Sequence, residues 1–272
     1  IMMLKQCDRQ ELMIPVVVLQ TIAANLGSML TPIGNPQNLY LYSVSGMSAL
    51  SFVKVMGPLS LVSLLLLIGS CLVQKNESMQ IEQIRRKTPK NKTDDNSGQK
   101  AAPVNVLLYT ILFIIALLVV ARVLPWYVLT VLVLVTTFII ERNVLLKADY
   151  ALLLTFVGFF IFTGNMGRIE PVALFLSGIA DGREIGVGII TSQCISNVPA
   201  ALLLSGFTHN IKNLALGVNI GGLGTLIASM ASLISYKQYV NEVPDGKGKY
   251  FVTFTVYNVI FLIVLYACTK FI

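Results

Sequence analysis

Long uncharged apolar stretches alternate with short polar segments along this chain. Six windows contain no Asp, Glu, Lys or Arg: Val55–Gln74, Ala101–Ala121, Val123–Ile140, Tyr150–Gly167, Asn213–Tyr236 and Tyr250–Thr269. Each window can cross a bilayer core, which needs about 20 residues and can use as few as roughly 17. The pattern predicts an all-α polytopic membrane protein.

The uncharged stretch Leu12–Val53 is interrupted by residues that break helices or carry polar groups. Its segment 21–38 reads TIAANLGSMLTPIGNPQN. A lipid-facing helix would avoid these groups, because an unsatisfied polar group in hydrocarbon costs several kcal/mol. Irregular backbone at membrane depth is tolerated where it lines a wet cavity or is buried in protein. We therefore predict a broken helix over 12–43 at a binding site; a tight loop between two short helices is the alternative.

A second interrupted stretch covers 185–206, where Ser196-Asn197-Val198-Pro199 falls in the middle of an apolar run. We interpret it as two short half-helices that form a re-entrant hairpin with Ser196 and Asn197 at the tip. An ordinary proline-kinked span is the alternative, since Pro and Ser are tolerated in membrane helices.

When the sequence is compared with itself at an offset of 194 positions, the first break matches a second interrupted apolar stretch, which begins at Asn219. Asn, Gly, Thr and Ile coincide at 25/219, 27/221, 31/225 and 33/227. Counting spans makes the two copies run in opposite directions through the membrane, as in inverted-repeat secondary transporters. The hairpin precedes Asn219 by about twenty residues, and the same offset before Asn25 reaches only Met2-Met3. We therefore expect the chain to be a fragment that lacks at least the first hairpin.

These patterns predict two inverted repeats on either side of a linker. The end of the first repeat is 1–73, the linker is 74–102, and the second repeat is 103–272. The predicted elements are a broken helix at 12–43, spans at 51–73, 103–121, 123–140 and 149–165, the hairpin 185–206, a broken helix at 211–236 and a span at 250–270.

Basic residues indicate the orientation. The linker 74–102 holds seven basic and four acidic residues. If it is cytoplasmic, loops 1–10, 141–149 and 237–249 lie on the same side, and these four segments hold 14 of the 20 Lys and Arg. This positive-inside bias accounts for the net charge of +7 without a nucleic-acid partner. We expect a multi-pass protein of the plasma (inner) membrane.

Composition argues against catalysis. The four cysteines are scattered, there is a single histidine, and neither a metalloprotease motif, a G-x-S-x-G motif nor a P-loop occurs. We expect no enzyme activity and no cofactor. A non-catalytic membrane subunit remains an alternative, since the Gly217–Gly221 spacing suits close helix packing.

At the two breaks and the hairpin, the sequence resembles the ion transporter superfamily, specifically its citrate-transporter-like and arsenite/sodium-proton-antiporter-like permeases. The segments that carry the resemblance are ANLGSMLTPIGNPQN, SQCISNVPAALLL and GVNIGGLGTLIASMASLI. The resemblance covers essentially the whole chain, as the last two-thirds of a full member. It implies coupling of anion movement to Na⁺ or H⁺, or exchange of Na⁺ for H⁺, through an elevator-like transport domain.

The resemblance also implies roles for individual residues. Ser196 and Asn197 would contact substrate and cation at the hairpin tip. Facing them from the second broken helix would be Asn219, Gly221, Gly222 and Thr225. The first-half cation site would be built by Asn25, Gly27, Thr31, Gly34, Asn35 and Asn38. The Ser-Asn-Thr hairpin pattern of dicarboxylate carriers reads Ser196-Asn197-Val198 here, and the lost hydroxyl argues against dicarboxylates.

The function expected from these observations is secondary active transport of a small anion, either citrate-like or dicarboxylate-like or an inorganic oxyanion, coupled to Na⁺ or H⁺. The alternative is Na⁺/H⁺ antiport or arsenite efflux, although the uncharged spans supply no titratable group. The expected partners are the anion and the lipid bilayer, with a homodimer as the candidate assembly.

Overall fold

The computed structural model describes residues 12–74, 103–140, 142–147 and 150–271. Within these ranges every regular element is helical, which confirms the predicted all-α fold. The predicted loop 1–10 and all of the linker 74–102 except Gln74 lie outside the described residues, so their orientation stays a prediction. The chain divides into two compact units, Ile1–Ile84 with Gly158–Ile272 and Arg85–Val157.

The helices follow one another through short connections. In chain order they are α1 (Met13–Gly27), α2 (Pro36–Ser45), α3 (Ala49–Leu72), α4 (Pro103–Val120), α5 (Trp126–Ile140), α6 (Arg142–Leu146), α7 (Tyr150–Met166), α8 (Glu170–Ala180), α9 (Glu184–Ile195), α10 (Asn197–Leu204), α11 (Ile211–Gly221), α12 (Met230–Glu242) and α13 (Lys247–Cys268). Single 3₁₀ turns occur at Ser28–Leu30, Leu226–Ala228 and Pro244–Gly246.

Three helical stretches in the described ranges have the length and hydropathy to cross a bilayer: Met13–Leu30, Ala49–Leu72 and Pro244–Cys268. Helix α13 has an apolar exposed surface. Its residues Val252, Val256, Ile260 and Ile263 recur at helical spacing, and each is at least half exposed. An apolar stripe of this kind is stable against lipid and unfavourable in water. The chain is an integral membrane protein.

Helix α11 lies at the centre of the larger unit. Its residues Leu214–Gly221 are buried in succession, on every side of the helix. It packs against the hairpin helices α9 and α10, and also against α1, α2, α3 and α13. A helix that is apolar all round is typical of such a central position. Among the buried residues of α11 the one polar side chain is that of Asn219, which is 3% exposed.

Small residues bring α9 and α11 into close contact. A Cβ at Gly217 would lie 2.6 Å from the Ile185 carbonyl oxygen, and one at Gly221 would lie 2.6 Å from Ser192 Oγ. A Cβ at Gly188 would lie 3.2 Å from the Gly217 backbone, a tight but less severe contact. The Gly217–Gly221 spacing, which also suited contact with another subunit, is thus used inside the chain.

The smaller unit contains α4 and α5, which pack against each other. Helix α5 begins at Trp126, three residues later than the predicted start of its span. The intervening turn includes Arg122, whose φ of 62° is left-handed. Pro125 follows this turn and stands just before the helix, where its missing N–H is harmless.

The segment between the predicted span 149–165 and the predicted hairpin 185–206 was assigned no element, and it contains a helix. Helix α8 has Glu170 and Pro171 in its first turn, and both are favourable at a helix N-terminus. Its 11 residues are too few to cross a bilayer. The flanking Arg168 and Asp181 had made the segment resemble a loop, because the apolar run between them is short.

Candidate functional site

The first break separates α1 from α2. After the 3₁₀ turn at Ser28–Leu30 the backbone is extended at Thr31, turns, and is extended again at Asn35, which begins the next helix as its N-cap. Its Oδ1 accepts a hydrogen bond from the Asn38 backbone N–H at 2.9 Å, which satisfies one of the free donors of a helix start. Position 34 allows no side chain, since a Cβ there would overlap the Ser28 carbonyl oxygen.

The second break, between α11 and α12, repeats this arrangement. A 3₁₀ turn at Leu226–Ala228 leads to Ser229, the N-cap of α12, whose Oγ accepts from the Ser232 N–H at 3.1 Å. Positions 229 and 232 are the counterparts of 35 and 38 under the 194-residue shift. Both breaks thus end in the same capping interaction.

The two breaks meet through asparagine side chains. Asn219 Nδ2 donates to Asn38 Oδ1 at 2.6 Å and to the Ala215 carbonyl at 2.7 Å. Asn219 Oδ1 accepts from Asn35 Nδ2 at 3.1 Å. Asn38, which is fully buried, also donates from Nδ2 to the Met29 carbonyl at 3.0 Å. This cluster of Asn35, Asn38 and Asn219, called the asparagine triad below, joins the start of α2 to the end of α11.

A second contact joins the end of α1 to the start of α12. Asn25 Nδ2, at the end of α1, donates to Ser229 Oγ at 2.9 Å and to the Gly222 carbonyl at 3.4 Å. The pair Asn25–Ser229 becomes the pair Asn219–Asn35 when the 194-residue shift is applied in opposite directions to its two members. Such exchange of equivalent partners is what a two-fold relation between two segments produces.

The hairpin is formed by α9 and α10, which reverse direction at Ser196. Ser196 has a φ of 73°, a strained conformation for a residue with a side chain. Its Oγ donates to the Ala228 carbonyl at 3.4 Å, so the hairpin tip contacts the second break.

Asn197, at the start of α10, has unused hydrogen-bonding capacity. It is 7% exposed, and a Cβ on Gly222 would lie 2.9 Å from its Nδ2. Within the described part of the chain, no hydrogen bond of its side chain is found, and its amide atoms are not among the fully enclosed polar atoms without a partner. The amide is therefore unbonded and still reachable, so Asn197 is a group with which a ligand could bond.

The remaining predicted residues act in different ways. Thr31 contributes its carbonyl, which accepts from the Gly34 N–H at 3.1 Å and from Asn38 Nδ2 at 3.4 Å. Thr225 is exposed and bonds to the hairpin instead of the first break, since its Oγ1 donates to the Gln193 carbonyl at 3.3 Å. Gly27 is exposed, and a Cβ there would meet no atom within 4 Å.

Gln193 is a residue that sequence reasoning missed. Its amide spans the second break: Nε2 donates to the carbonyls of Gly221 and Leu223, each at 2.9 Å, and Oε1 accepts from the Thr225 N–H at 2.8 Å. Its position one turn before the hairpin tip was the available signal, because an amide there can reach the backbone that the tip contacts.

Both breaks and the hairpin tip are electrically neutral. Their polar side chains are Asn, Gln, Ser and Thr. Glu184, the buried carboxylate of the described ranges, lies at the hairpin base, where it accepts hydrogen bonds from the Gly182 N–H and Thr208 Oγ1. No group of three His, Cys, Asp or Glu that could hold a metal occurs in the residues that the structure describes.

Comparison with known proteins extends these observations. The citrate transporter family profile matches residues 2–213. The chain is 32% identical over 254 residues to "Uncharacterized transporter MJ0456" of Methanocaldococcus jannaschii, covering 93% of this chain and 66% of that protein. It is 30% identical over 228 residues to "Inner membrane protein YbiR" of Escherichia coli K12, covering 81% and 57%. The chain thus spans less than two thirds of either relative. No solved structure matches it significantly.

Proposed function

Because this chain belongs to the citrate transporter family, we propose that the protein is a secondary active transporter that moves a small anion across the membrane, coupled to Na⁺ or H⁺. The observation that carries the proposal is the reciprocal pairing of the two helix breaks, Asn25 with Ser229 and Asn35 with Asn219. Paired broken helices of opposite direction at the bilayer midplane are typical of transporters built from inverted repeats.

The hairpin tip is the proposed anion site. Asn197 is the first residue of α10, and the free N–H groups of a helix start attract negative charge. The unpartnered Asn197 amide adds donors beside them, and the Ser196 hydroxyl, whose hydrogen bond to the Ala228 carbonyl is long at 3.4 Å, can turn to add another. All of these donors are neutral, so an anion can be bound here without an ion pair that would hinder its release.

The first break is the proposed site of the coupling cation. Asn25 and Asn35 are only partly buried, and the Ser28 hydroxyl bonds to both: it donates to the Asn25 backbone carbonyl at 2.9 Å and accepts from Asn35 Nδ2 at 3.2 Å. Oxygens of amides, hydroxyls and backbone carbonyls are the ligands that a weakly bound Na⁺ requires. Carboxylates are absent from the described residues of both breaks, which favours ion-coupled anion transport over proton antiport.

The proposed setting is the plasma (inner) membrane. Loops 1–10, 74–102, 141–149 and 237–249 would be cytoplasmic, as their content of basic residues indicates. A second copy of the chain is the proposed assembly partner.

Uptake by the full-length protein in proteoliposomes tests the proposal. Citrate, a dicarboxylate, sulfate and phosphate are offered under an imposed Na⁺ gradient, an imposed pH gradient or neither. We expect gradient-driven accumulation of at least one anion. If no anion accumulates under any gradient and the protein exchanges Na⁺ for H⁺ instead, the proposal is wrong and the protein is an antiporter.

Replacing Asn197 by alanine is expected to lower uptake at limiting anion concentration by about tenfold or more. A hydrogen bond to a charged group contributes roughly 1.5–3 kcal/mol, and Asn197 has no structural bond to lose. Expression and the thermal unfolding midpoint should therefore stay near those of the wild type.

The matched control is Asn241→Ala, which alters an exposed asparagine near the end of α12. It should transport as the wild type does. Wild-type uptake in Asn197→Ala would remove this residue from the site.

A further inference from the structure

The carbonyl groups at the end of α11 already have a donor. Gln193 Nε2 lies 2.9 Å from the Gly221 oxygen, 2.9 Å from the Leu223 oxygen and 3.2 Å from the Ile189 oxygen. Its two N–H groups are thus shared among three acceptors. The Gln193 side chain is only partly exposed, so a protein group has replaced water at this helix end.

Gly224 makes room for the amide. Its φ of 104° suits glycine only, and a Cβ there would overlap Gln193 Oε1. The same Oε1 accepts from the Thr225 N–H at 2.8 Å. The backbone of the second break therefore fits closely around the Gln193 amide. Its carbonyls face the NH₂ group of this amide, and its Thr225 N–H faces the amide oxygen.

Carbonyls at the end of a helix carry the negative end of its dipole and lack intrahelical donors. In transporters of this architecture, carbonyls at such ends of broken helices can coordinate cations. Here the partly positive amide hydrogens of Gln193 occupy those oxygens. A cation could bind them only after the amide had moved away.

The first break provides an independent parallel. The carbonyl of Met29, the counterpart of Leu223 under the 194-residue shift, accepts from Asn38 Nδ2 at 3.0 Å. Position 232, the counterpart of 38, is a serine, and its hydroxyl bonds to Ser229 at 2.9 Å. At the first break the amide comes from Asn38 in the following helix. The second break has no amide at the equivalent position, and Gln193 in the hairpin supplies one.

We infer that the Gln193 side-chain amide takes the place of a coupling cation at the second helix break, so that the carbonyls of Gly221 and Leu223 bind no transported cation. The inference rests on the proposed function only in assuming that a coupling cation exists. It excludes the Gly221 and Leu223 carbonyls from the site of that cation.

The experiment compares thermal unfolding of the purified full-length protein with Gln193 replaced by lysine, glutamate or alanine. If the amide acts as a cation, Gln193→Lys should keep a midpoint within a few degrees of the wild type, because an ammonium can bond to the same carbonyls. Gln193→Glu has almost the same shape, yet its carboxylate should repel them. Its midpoint should fall by about 4 °C or more and recover as the pH is lowered and the carboxyl becomes protonated.

Gln193→Ala exposes the carbonyls. We expect its midpoint to rise in NaCl relative to choline chloride at equal ionic strength, by more than that of the wild type, because bound Na⁺ stabilises the folded state. The matched control is Gln238→Glu, an exposed glutamine on α12, which should change neither the midpoint nor its Na⁺ and pH dependence.

A lysine variant less stable than the glutamate variant at neutral pH would overturn the inference, and this comparison stands even if Gln193→Ala fails to fold. An alanine variant that folds but gains no Na⁺ dependence would also overturn it. Neither readout requires uptake, so failure of the proteoliposome assay would contradict the proposed function without changing this test.

Discussion

Replacing Gly34 by alanine is expected to prevent the first helix break from forming. A Cβ at position 34 would overlap the carbonyl oxygen of Ser28, and both groups belong to the backbone, so no flexible side chain can move aside. The turn would have to open, which would separate Asn35 from Ser28 and from Asn219. We expect a loss of at least about 3 kcal/mol in the free energy of unfolding, at the upper end of overpacking effects.

Thermal unfolding of purified protein and uptake in proteoliposomes measure this effect. The control is Gly69→Ala within α3, where a Cβ would meet no atom within 4 Å and alanine favours the helix. Gly69→Ala should unfold at or slightly above the wild-type midpoint. A Gly34→Ala protein with wild-type midpoint and uptake would show that the chain does not pass so close to Ser28.

Replacing Asn219 by alanine should be the most damaging change at the centre of the larger unit. It removes three hydrogen bonds, to Asn35, Asn38 and the Ala215 carbonyl. Asn38 is fully buried and would keep an unsatisfied oxygen, which alone costs about 1–3 kcal/mol. We expect about 3 kcal/mol of destabilisation in total, at roughly 1 kcal/mol for each bond.

A double-mutant cycle with Asn38→Ala tests whether the triad acts as a unit. The two residues share the 2.6 Å bond between Asn219 Nδ2 and Asn38 Oδ1. The double variant should therefore be less destabilised than the sum of the single variants, by about 1–2 kcal/mol. Additive effects would mean that the two asparagines stabilise the fold independently. Asn241→Ala, an exposed asparagine, serves as the surface control.

The stability test also separates two roles within the predicted site. Asn38 and Asn219 use their amides on each other and on backbone carbonyls. Asn197 uses its side chain on no described residue. Substitution of the first two should lower stability and uptake together, whereas Asn197→Ala should lower uptake alone. The residue type is the same in all three, so only their partners distinguish them.

Much of the fold could be predicted because the signals are local. Uncharged windows of span length predict membrane helices, and the positions of Gly27, Gly34 and Pro36 indicate where the first helix must break. Helix α8 was missed for the same reason, since charged residues on both sides of a short apolar run resemble a loop. The division into two inverted repeats and the roles of the site residues stay predictions.

The sequence by itself determined that this is an all-helical membrane protein, that two of its helices break at Asn- and Gly-rich segments, and that a hairpin precedes the second break. These features follow from backbone preferences and burial within short windows. Only the tertiary structure decided which amide bonds to which partner. Asn25 lies 204 residues from Ser229, and Gln193 lies 28 residues from Gly221. A side-chain amide bonds equally well to water, backbone or another amide, and its choice depends on packing that no local pattern encodes.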